Sequence, residues 1–166
     1  MTTKKVEIQK RSDNFRKIAR EPVETSENFE TEPVKALYKW WSSFQPSLPL
    51  RSDFDIAKHW GIAPNLYVVQ VLGPENFLYR LNGEKVVDIV GASLRGHKIT
   101  PKDPLLENRL FVTYLEKVVA SRTAWHCSGA AEVFGKHYLN FESVDCPVTN
   151  ENGEISFILG ALSTLS

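Results

Sequence analysis

Cysteine and long apolar segments are both scarce in this sequence. Its 166 residues include two cysteines, Cys127 and Cys146, which is too few for the disulfide scaffold of a small secreted protein. No apolar run approaches the roughly 20 residues that a membrane-spanning helix needs. The opening residues, MTTKKVEIQKRSDNF, contain no apolar stretch that could act as a signal peptide. The sequence therefore predicts a cytoplasmic protein with reduced cysteines.

An excess of charge of either sign is also missing. Twenty Lys and Arg residues balance 20 Asp and Glu residues, which gives a formal net charge of +0. The overall charge therefore predicts no binding to nucleic acid or to a membrane surface. A hydrophobic content of 42% and a charged content of 24% are typical of a globular protein, and the chain is long enough for one domain with an ordinary core.

The common catalytic and phosphate-binding motifs are absent as well. The sequence has no G-x-x-x-x-G-K-[ST] loop and no G-x-S-x-G nucleophile elbow. Its four histidines show no H-x-x-x-H or H-E-x-x-H spacing of a zinc site. The segment from Ser52 to Ile62 predicts a short helix with Asp53 as its N-cap. A metal site at Asp53 and Asp55 is not predicted, because no other ligand group lies at a suitable spacing and caps are the commoner use. We therefore predict no catalytic residue and no metal site.

Charged residues dominate the first 32 positions. Residues 1–20 hold seven basic and two acidic residues, and residues 21–32 hold five glutamates and no basic residue. Because this segment has few large apolar side chains to bury, we predict a flexible charged tail over residues 1–32 and a folded domain over residues 33–166. The alternative is a short basic helix around Asp13–Arg20 that contacts a partner or an anionic surface.

A helix rich in aromatic residues is predicted from Pro33 to Phe44. Its apolar stripe has helical spacing and consists of Val34, Leu37, Tyr38 and Trp41. Trp40 lies about 100° around the helix from Trp41, so the two indoles cannot share one contact. We therefore expect Trp41 to pack on its own sheet and Trp40 to contact a second copy in a homodimer. The alternative is that the whole helix packs within its own chain.

The remaining pattern predicts five strands, a short helix and one long helix. The predicted strands are Tyr67–Leu72, Phe77–Asn82, Trp125–Val133, His137–Val148 and Ile155–Leu162. The short helix is Glu84–Ile89, and the long helix begins with Asp103 as its N-cap and Pro104 at its first position. Ile155–Leu162 is apolar on both faces, which is typical of a central strand. The fold class is α+β, a five-stranded antiparallel sheet with small helices and the long helix on one face and the Pro33–Phe44 helix on the other.

The turn after the third strand fixes a predicted strand register. If Gly135 and Lys136 form a two-residue turn, His126 faces Asp145 and Cys127 faces Val144. Cys146 is then only a diagonal neighbour of Cys127, and a disulfide between the two is geometrically unfavourable. Free, mostly buried thiols are the expected state.

Several short motifs resemble one known family. Tyr79-Arg80-Leu81-Asn82-Gly83, followed by Val90-Gly91, Leu94 and Gly96, resembles the YRLxG…GxxLxG core of a bacterial PAS-domain family of small, nearly single-domain proteins. The segment from Leu48 to Asp55 is similar to the P-x-R-x-D-x-D lead-in of that family, and Cys146-Pro147-Val148 stands where its members usually read LPL. The resemblance runs from about Ala36 to the C-terminus and implies a sensory PAS fold that often pairs through the helix before its first strand.

The resemblance also bears on cofactors. Some PAS domains hold flavin through a cysteine in an N-C-R-F-type motif, but this chain has no cysteine before position 127. Haem-binding members use a histidine on the long helix, and residues 104–121 contain none. His97, just before that helix, is the only nearby candidate, and an ordinary loop histidine is the plainer interpretation. We therefore predict no cofactor.

The predicted ligand-binding residues are polar and aromatic groups that can point between the sheet and the helices. They are Tyr79, Arg80, His97, Tyr114, Trp125, Tyr138 and Asn140. For the tyrosines and Trp125, core packing and pocket lining are both open. A charged residue in a strand needs a partner, so Arg80 pairs either with an internal carboxylate, such as Asp53 or Asp55, or with an anionic ligand.

The function predicted from these features is a sensory or protein-interaction domain without catalysis. It would bind a small molecule or a protein partner and transmit its state through the N-terminal helix. One alternative is an enzyme of the ketosteroid-isomerase type, with Asp103 or Glu142 as base and a tyrosine as hydrogen-bond donor. Another is a pure dimerisation module with a filled core.

Overall fold

A seven-stranded antiparallel sheet forms the centre of the fold in the computed structural model, which describes residues 17–130 and 140–165. The strands are β1 (Ala19–Pro22), β2 (Leu66–Gly73), β3 (Asn76–Asn82), β4 (Lys98–Ile99), β5 (Trp125–Ala130), β6 (Asn140–Thr149) and β7 (Ile155–Leu165). Their order across the sheet is β1-β5-β6-β7-β2-β3-β4. β7 is central, as its two apolar faces predicted. The sheet has seven strands rather than the predicted five, because the short strands β1 and β4 extend its two edges.

Three α-helices accompany the sheet in the described part of the chain. They are α1 (Glu32–Ser42), α2 (Glu84–Val90) and α3 (Leu106–Ser121). α3 begins later than predicted, because Asp103 is not its N-cap. Oδ1 of Asp103 instead accepts hydrogen bonds from the Leu105 amide at 3.0 Å and the Asn108 side chain at 3.1 Å, both close to the start of the helix.

The predicted helix between Ser52 and Ile62 is replaced by short 3-10 turns. The turns are Arg51–Asp53 and Ile56–His59, and a third follows at Ala63–Asn65. Asp53 accepts a hydrogen bond from the Leu50 amide at 2.8 Å, and Asp55 accepts one from the Ala57 amide at 3.0 Å. Both carboxylates therefore act as local turn caps, and Asp55 rather than Asp53 is the N-cap of the second turn.

The two faces of the sheet carry separate apolar cores. The α2 and α3 helices cover one face, and the α1 helix covers the other. Trp41 is buried on the α1 face, and its indole Nε1 donates a hydrogen bond to the Pro147 carbonyl at 2.8 Å. Trp40, predicted to contact a second copy, is half-buried in its own chain, with ring centroids 4.9 Å from Phe54 and 5.3 Å from Phe44.

Residues 17–32 pack on the rest of the domain, whereas the sequence predicted a flexible tail as far as residue 32. The β1 strand pairs with β5 along its whole length, from Ala19 opposite Ser128 to Pro22 opposite Trp125. Ile18 and Phe29 are buried, one in each core. Two apolar anchors and a strand edge are therefore enough to order residues whose other side chains are mostly charged. Residues 1–16 lie outside the described residues.

The register between β5 and β6 is one residue away from the prediction. Trp125 lies opposite Asp145, His126 opposite Val144, and Cys127 opposite Ser143. Since a one-residue shift exchanges the faces of a strand relative to its neighbour, His126 and Asp145 lie on opposite faces. The same alternation puts Cys127 in the core under α2 and α3 and Cys146 in the core under α1. The predicted turn at Gly135–Lys136 lies outside the described residues.

Candidate functional site

A cavity of about 370 Å³ lies between the sheet and the helices α2 and α3. Most of its lining is apolar: Ile18, Val86, Val90, Ala92, Leu94, Leu105, Phe111, Phe141 and Leu162. The α2 helix leaves this space open because it is short. It ends at Gly91, whose left-handed φ of 93° turns the chain away from the helix axis. Gly91, Ala92 and Leu94 then form part of the cavity wall.

Several polar side chains also line the cavity, and most of them are engaged within the protein. Asn82 accepts a hydrogen bond from the Leu94 amide at 2.6 Å and donates one to the Leu81 carbonyl at 2.8 Å. That pair of bonds fixes the loop after α2 against the end of β3. Arg20 donates to the Ile18 carbonyl at 3.2 Å, which holds its side chain along β1. These groups therefore shape the wall of the cavity.

A buried carboxylate, Asp145, lies behind this wall on β6 with no exposed surface. The Tyr114 hydroxyl donates a hydrogen bond to Oδ2 of Asp145 at 2.5 Å, and the Tyr67 hydroxyl donates to Oδ1. Burial raises the pKa of Asp145 to about 6, even though the two tyrosine hydrogen bonds favour the ionised form. Burial also raises the pKa of both tyrosines, so their hydroxyls remain donors. We call these three residues the Asp145 cluster.

The Asp145 cluster depends on a glycine in the central strand. Gly160 of β7 is paired with Tyr67 on one side and with Asp145 on the other. A Cβ atom at position 160 would overlap the ring of Tyr67. The glycine therefore lets the tyrosine ring lie across β7 and reach a carboxylate two strands away. The strand pattern alone does not indicate this arrangement, although a glycine within an apolar strand is itself a signal of close approach.

Cys127 lies next to the Asp145 cluster and lines the cavity. Burial raises the pKa of its thiol to about 12, and the nearby Asp145 charge acts in the same direction. Hydrogen bonds to Tyr114 and Ser143 oppose that rise without cancelling it. The group is a protonated thiol at neutral pH, so it has little nucleophilic character.

The second buried carboxylate, Glu142, lies on the α1 face of the sheet. Oε2 accepts hydrogen bonds from the Thr31 amide at 2.7 Å, the Thr31 hydroxyl at 2.6 Å and the Glu30 amide at 3.1 Å. Nε2 of His126 lies 3.5 Å from Oε1. Burial alone would raise the pKa of Glu142, but these hydrogen bonds outweigh burial and lower it. Glu142 therefore anchors the start of α1 to the sheet.

Of the six predicted ligand-binding residues that the structure describes, two lie at or beside the cavity. Tyr79 lines it, and Tyr114 belongs to the Asp145 cluster behind its wall. Trp125 does not line the cavity: its indole packs edge-on against Tyr114, with centroids 6.0 Å apart, and donates a hydrogen bond to the Ser121 hydroxyl at 2.9 Å. The structure thus brings these three aromatic residues together, with Tyr79 in contact with the open volume.

Three more of the predicted residues lie away from the cavity. Arg80 is the extra residue of a β-bulge, because Val68 pairs with Leu81 and Val69 pairs with Tyr79. Its side chain is exposed, and it forms no ion pair with the carboxylates of the described residues, including Asp53 and Asp55. His97 and Asn140 are exposed as well. Tyr138 lies outside the described residues.

Residues 17–130 and 140–165 contain neither a metal-binding cluster nor a helix fit to span a membrane. Within these ranges no group of three His, Cys, Asp or Glu side chains has the geometry to hold a metal ion. No α-helix there combines the length and the apolar character that crossing a bilayer requires.

Comparison with known proteins gives one family match and several distant structural matches. A family model described as "PAS domain" matches residues 29–163. No curated protein matches the sequence. An RNA-binding light-oxygen-voltage receptor is 13% identical with a TM-score of 0.45, and the match covers 88% of this chain and 38% of that chain. The chain therefore spans less than half of that receptor.

Two further solved structures match over more of their own length. The dark structure of the blue-light photoreceptor Aureochrome1 LOV is 15% identical with a TM-score of 0.45, covering 69% of this chain and 85% of that chain. A mutant of Vivid is 12% identical with a TM-score of 0.45, covering 77% of this chain and 97% of that chain.

Proposed function

Since this chain belongs to the PAS domain family, whose members are typically sensory domains in signalling, we propose that it senses a small molecule bound in the cavity between the sheet and the helices α2 and α3. The observation that carries the proposal is the cavity itself. Its volume of about 370 Å³ is in the range of small-molecule sites, and such sites are mostly apolar with a few placed polar groups. The lining has that composition.

The placement of the acidic groups favours binding over acid–base catalysis. A general base must reach the proton that it abstracts. Both oxygens of Asp145 accept tyrosine hydrogen bonds, and the residue is not part of the cavity lining. Asp103 caps the turn before α3, and Glu142 lies on the opposite face of the sheet. The candidate bases of the isomerase-like alternative are therefore engaged elsewhere, and we propose a non-catalytic domain.

Signal transmission is proposed to run through the N-terminal segment. Ile18 and Arg20 line the cavity, and the same segment continues to Glu30 and Thr31, whose amides Glu142 holds at the start of α1. A ligand that shifts β1 would thereby act on the α1 helix. The output is association with a partner, which the family commonly mediates.

A homodimer through the Pro33–Phe44 helix stays a prediction. Trp40 packs on Phe54 and Phe44 of its own chain, so it is not the expected anchor of such a contact. Trp60 is 78% exposed and directly follows His59, which packs against Trp40. Trp60 is therefore an exposed aromatic side chain close to the predicted contact helix. The cytoplasmic location likewise stays a prediction from the sequence.

The proposed function is tested by identifying small molecules that are released when the purified protein is denatured. Val90 and Val87 lie on the same helix, but only Val90 lines the cavity. We expect one compound to be recovered by mass spectrometry from the wild type and from Val87→Trp, and to be absent from Val90→Trp. Circular dichroism checks that both variants are folded. Equal recovery from both variants, or no recovery from the wild type, would contradict the proposal.

A further inference from the structure

The hydroxyl of Tyr79 is a polar group without a partner inside a mostly apolar cavity. Tyr79 is 8% exposed, and its ring is stacked on Phe111 with centroids 6.1 Å apart. Within the described residues its hydroxyl makes no hydrogen bond, unlike the hydroxyls of Tyr67 and Tyr114. Among the fully buried polar side-chain atoms of the described residues, Oδ1 of Asn76 and Nε2 of His126 make no hydrogen bond. The Tyr79 oxygen is not among these fully buried atoms. The Tyr79 oxygen therefore faces the open volume of the cavity.

An unsatisfied buried hydroxyl destabilises a protein unless a ligand or water completes its hydrogen bonding. Burial, with a smaller contribution from the Asp145 charge, raises the pKa of Tyr79 well above its ordinary value. The hydroxyl therefore keeps its proton at neutral pH and can donate a hydrogen bond. A ligand with an acceptor oxygen would complete it.

The charges around the cavity disfavour a charged ligand. Among the described residues, the lining contains one cation, Arg20, and one carboxylate, Glu107, and the Asp145 carboxylate lies directly behind Tyr67. An anion near Tyr79 would meet the field of Asp145, and a cation would lose its hydration in a mostly apolar space. An uncharged molecule avoids both costs.

Resting on the proposed function, we propose that the ligand is an uncharged, mostly apolar molecule with a carbonyl-type acceptor oxygen, and that the Tyr79 hydroxyl recognises this oxygen. Phe111 holds the Tyr79 ring in place, so the direction of the hydroxyl is set before the ligand binds. Tyr79 is thus a specificity-determining residue of the cavity.

The first test compares three tyrosine-to-phenylalanine variants of the ligand-free protein. Tyr79→Phe removes a hydroxyl that has no internal partner, so the midpoint of urea unfolding should stay unchanged or rise. Tyr114→Phe and Tyr67→Phe each remove a hydrogen bond to Asp145, so both midpoints should fall. A Tyr79→Phe midpoint that falls as far as those of the other two variants would show that the hydroxyl is bonded within the protein, and would overturn the inference.

The second test uses four eight-carbon probes: 2-octanone, octane, octanoate and octylammonium. Dissociation constants are measured by NMR titration of the wild type, Tyr79→Phe and Val90→Trp. We expect 2-octanone to bind the wild type most tightly of the four and to lose roughly two- to tenfold in affinity in Tyr79→Phe. Octane should bind these two proteins equally, because it has no acceptor. All four probes should lose affinity in Val90→Trp.

The outcomes separate the inference from the function on which it rests. If Val90→Trp abolishes binding but Tyr79→Phe binds 2-octanone as the wild type does, the cavity remains the ligand site and Tyr79 is not its recognition group. Tightest binding of octanoate or octylammonium would overturn the uncharged class. If no probe binds the wild type, this inference fails, whereas recovery of a different compound from the purified protein would still support the proposed function.

Discussion

Asp145 is a carboxyl group with no exposed surface, and both of its oxygens accept hydrogen bonds from tyrosine hydroxyls. Burial raises its pKa from 3.8 to about 6. Between these two pH values the folded protein binds more protons at this site than the unfolded chain does. The free energy of unfolding contributed by Asp145 therefore falls as the pH rises from about 4 to about 6.

Replacement of Asp145 by Asn should remove this dependence. The free energy of unfolding of Asp145→Asn minus that of the wild type should increase as the pH rises from 4 to 7, by an amount on the order of 1–3 kcal/mol. The measurement is urea unfolding of both proteins across this range, so that contributions from other groups, such as Glu142, cancel in the difference. Asp88→Asn, the same substitution at an exposed position of α2, is the matched control for the chemical change itself. A difference that is flat with pH would contradict the assigned environment of Asp145.

At the residue scale, the sequence predicted which aromatic side chains are buried, but not which groups their hydroxyls contact. Tyr79 and Tyr114 were identified because they follow strand and helix periodicity. Asp145 and Gly160 were missed, because the role of each depends on the register of β6 with its neighbours. A turn one residue longer or shorter reverses the faces, and the sequence does not determine that length.

At the scale of elements, Glu142 couples β6 to the segment that precedes α1. Its carboxylate accepts hydrogen bonds from two backbone amides and one hydroxyl, at 2.6–3.1 Å. The first turn of a helix has amide groups without intrahelical partners, and a carboxylate near the positive end of the helix dipole is favourable there. A side chain on a buried strand thus anchors Glu30 and Thr31, the two residues that lead into α1.

Loss of this carboxylate should loosen the attachment of α1. Glu142→Gln keeps the shape of the side chain but replaces one carboxylate oxygen with an NH2 group. This group cannot accept hydrogen bonds from the Glu30 amide, the Thr31 amide or the Thr31 hydroxyl. The free energy of unfolding should fall by about 1–3 kcal/mol, and the amides at the start of α1 should exchange with deuterium faster. Glu154→Gln, on an exposed turn, should leave both quantities unchanged. Wild-type exchange rates at Glu30 and Thr31 in Glu142→Gln would show that the contact does not hold the helix.

Elements with strong local signals were predicted correctly, and elements that depend on tertiary contacts were not. The α1 stripe has a clear helical periodicity, and the β7 segment is a nearly continuous apolar run. The β1 strand has four residues with exposed or half-buried side chains, and it exists because the edge of β5 supplies its hydrogen bonds. The Asp103-Pro104 pair is typical of a helix start, but Asp103 is engaged by Leu105 and Asn108, and α3 begins at Leu106.

At the scale of the whole molecule, the two faces of the sheet are covered differently. Trp41, Leu37 and Val34 of α1 are buried directly against one face. On the other face, the short helix α2 and the longer α3 leave a cavity of about 370 Å³. Buried side chains of α1 thus anchor it to one face, and the face under α2 and α3 leaves volume for a ligand. This asymmetry is the physical basis of the proposed sensory function.

The most direct test of that account is a titration of ¹⁵N-labelled protein with 2-octanone, followed by two-dimensional NMR. The account predicts chemical-shift changes at amides around the cavity, such as Val86, Leu94 and Phe111, and much smaller ones at Val34 and Leu37 on the opposite face. Val90→Trp should abolish the changes, and Val87→Trp should retain them. Shifts confined to the α1 face, or shifts around the cavity that persist in Val90→Trp, would contradict a ligand-binding cavity between the sheet and the helices α2 and α3.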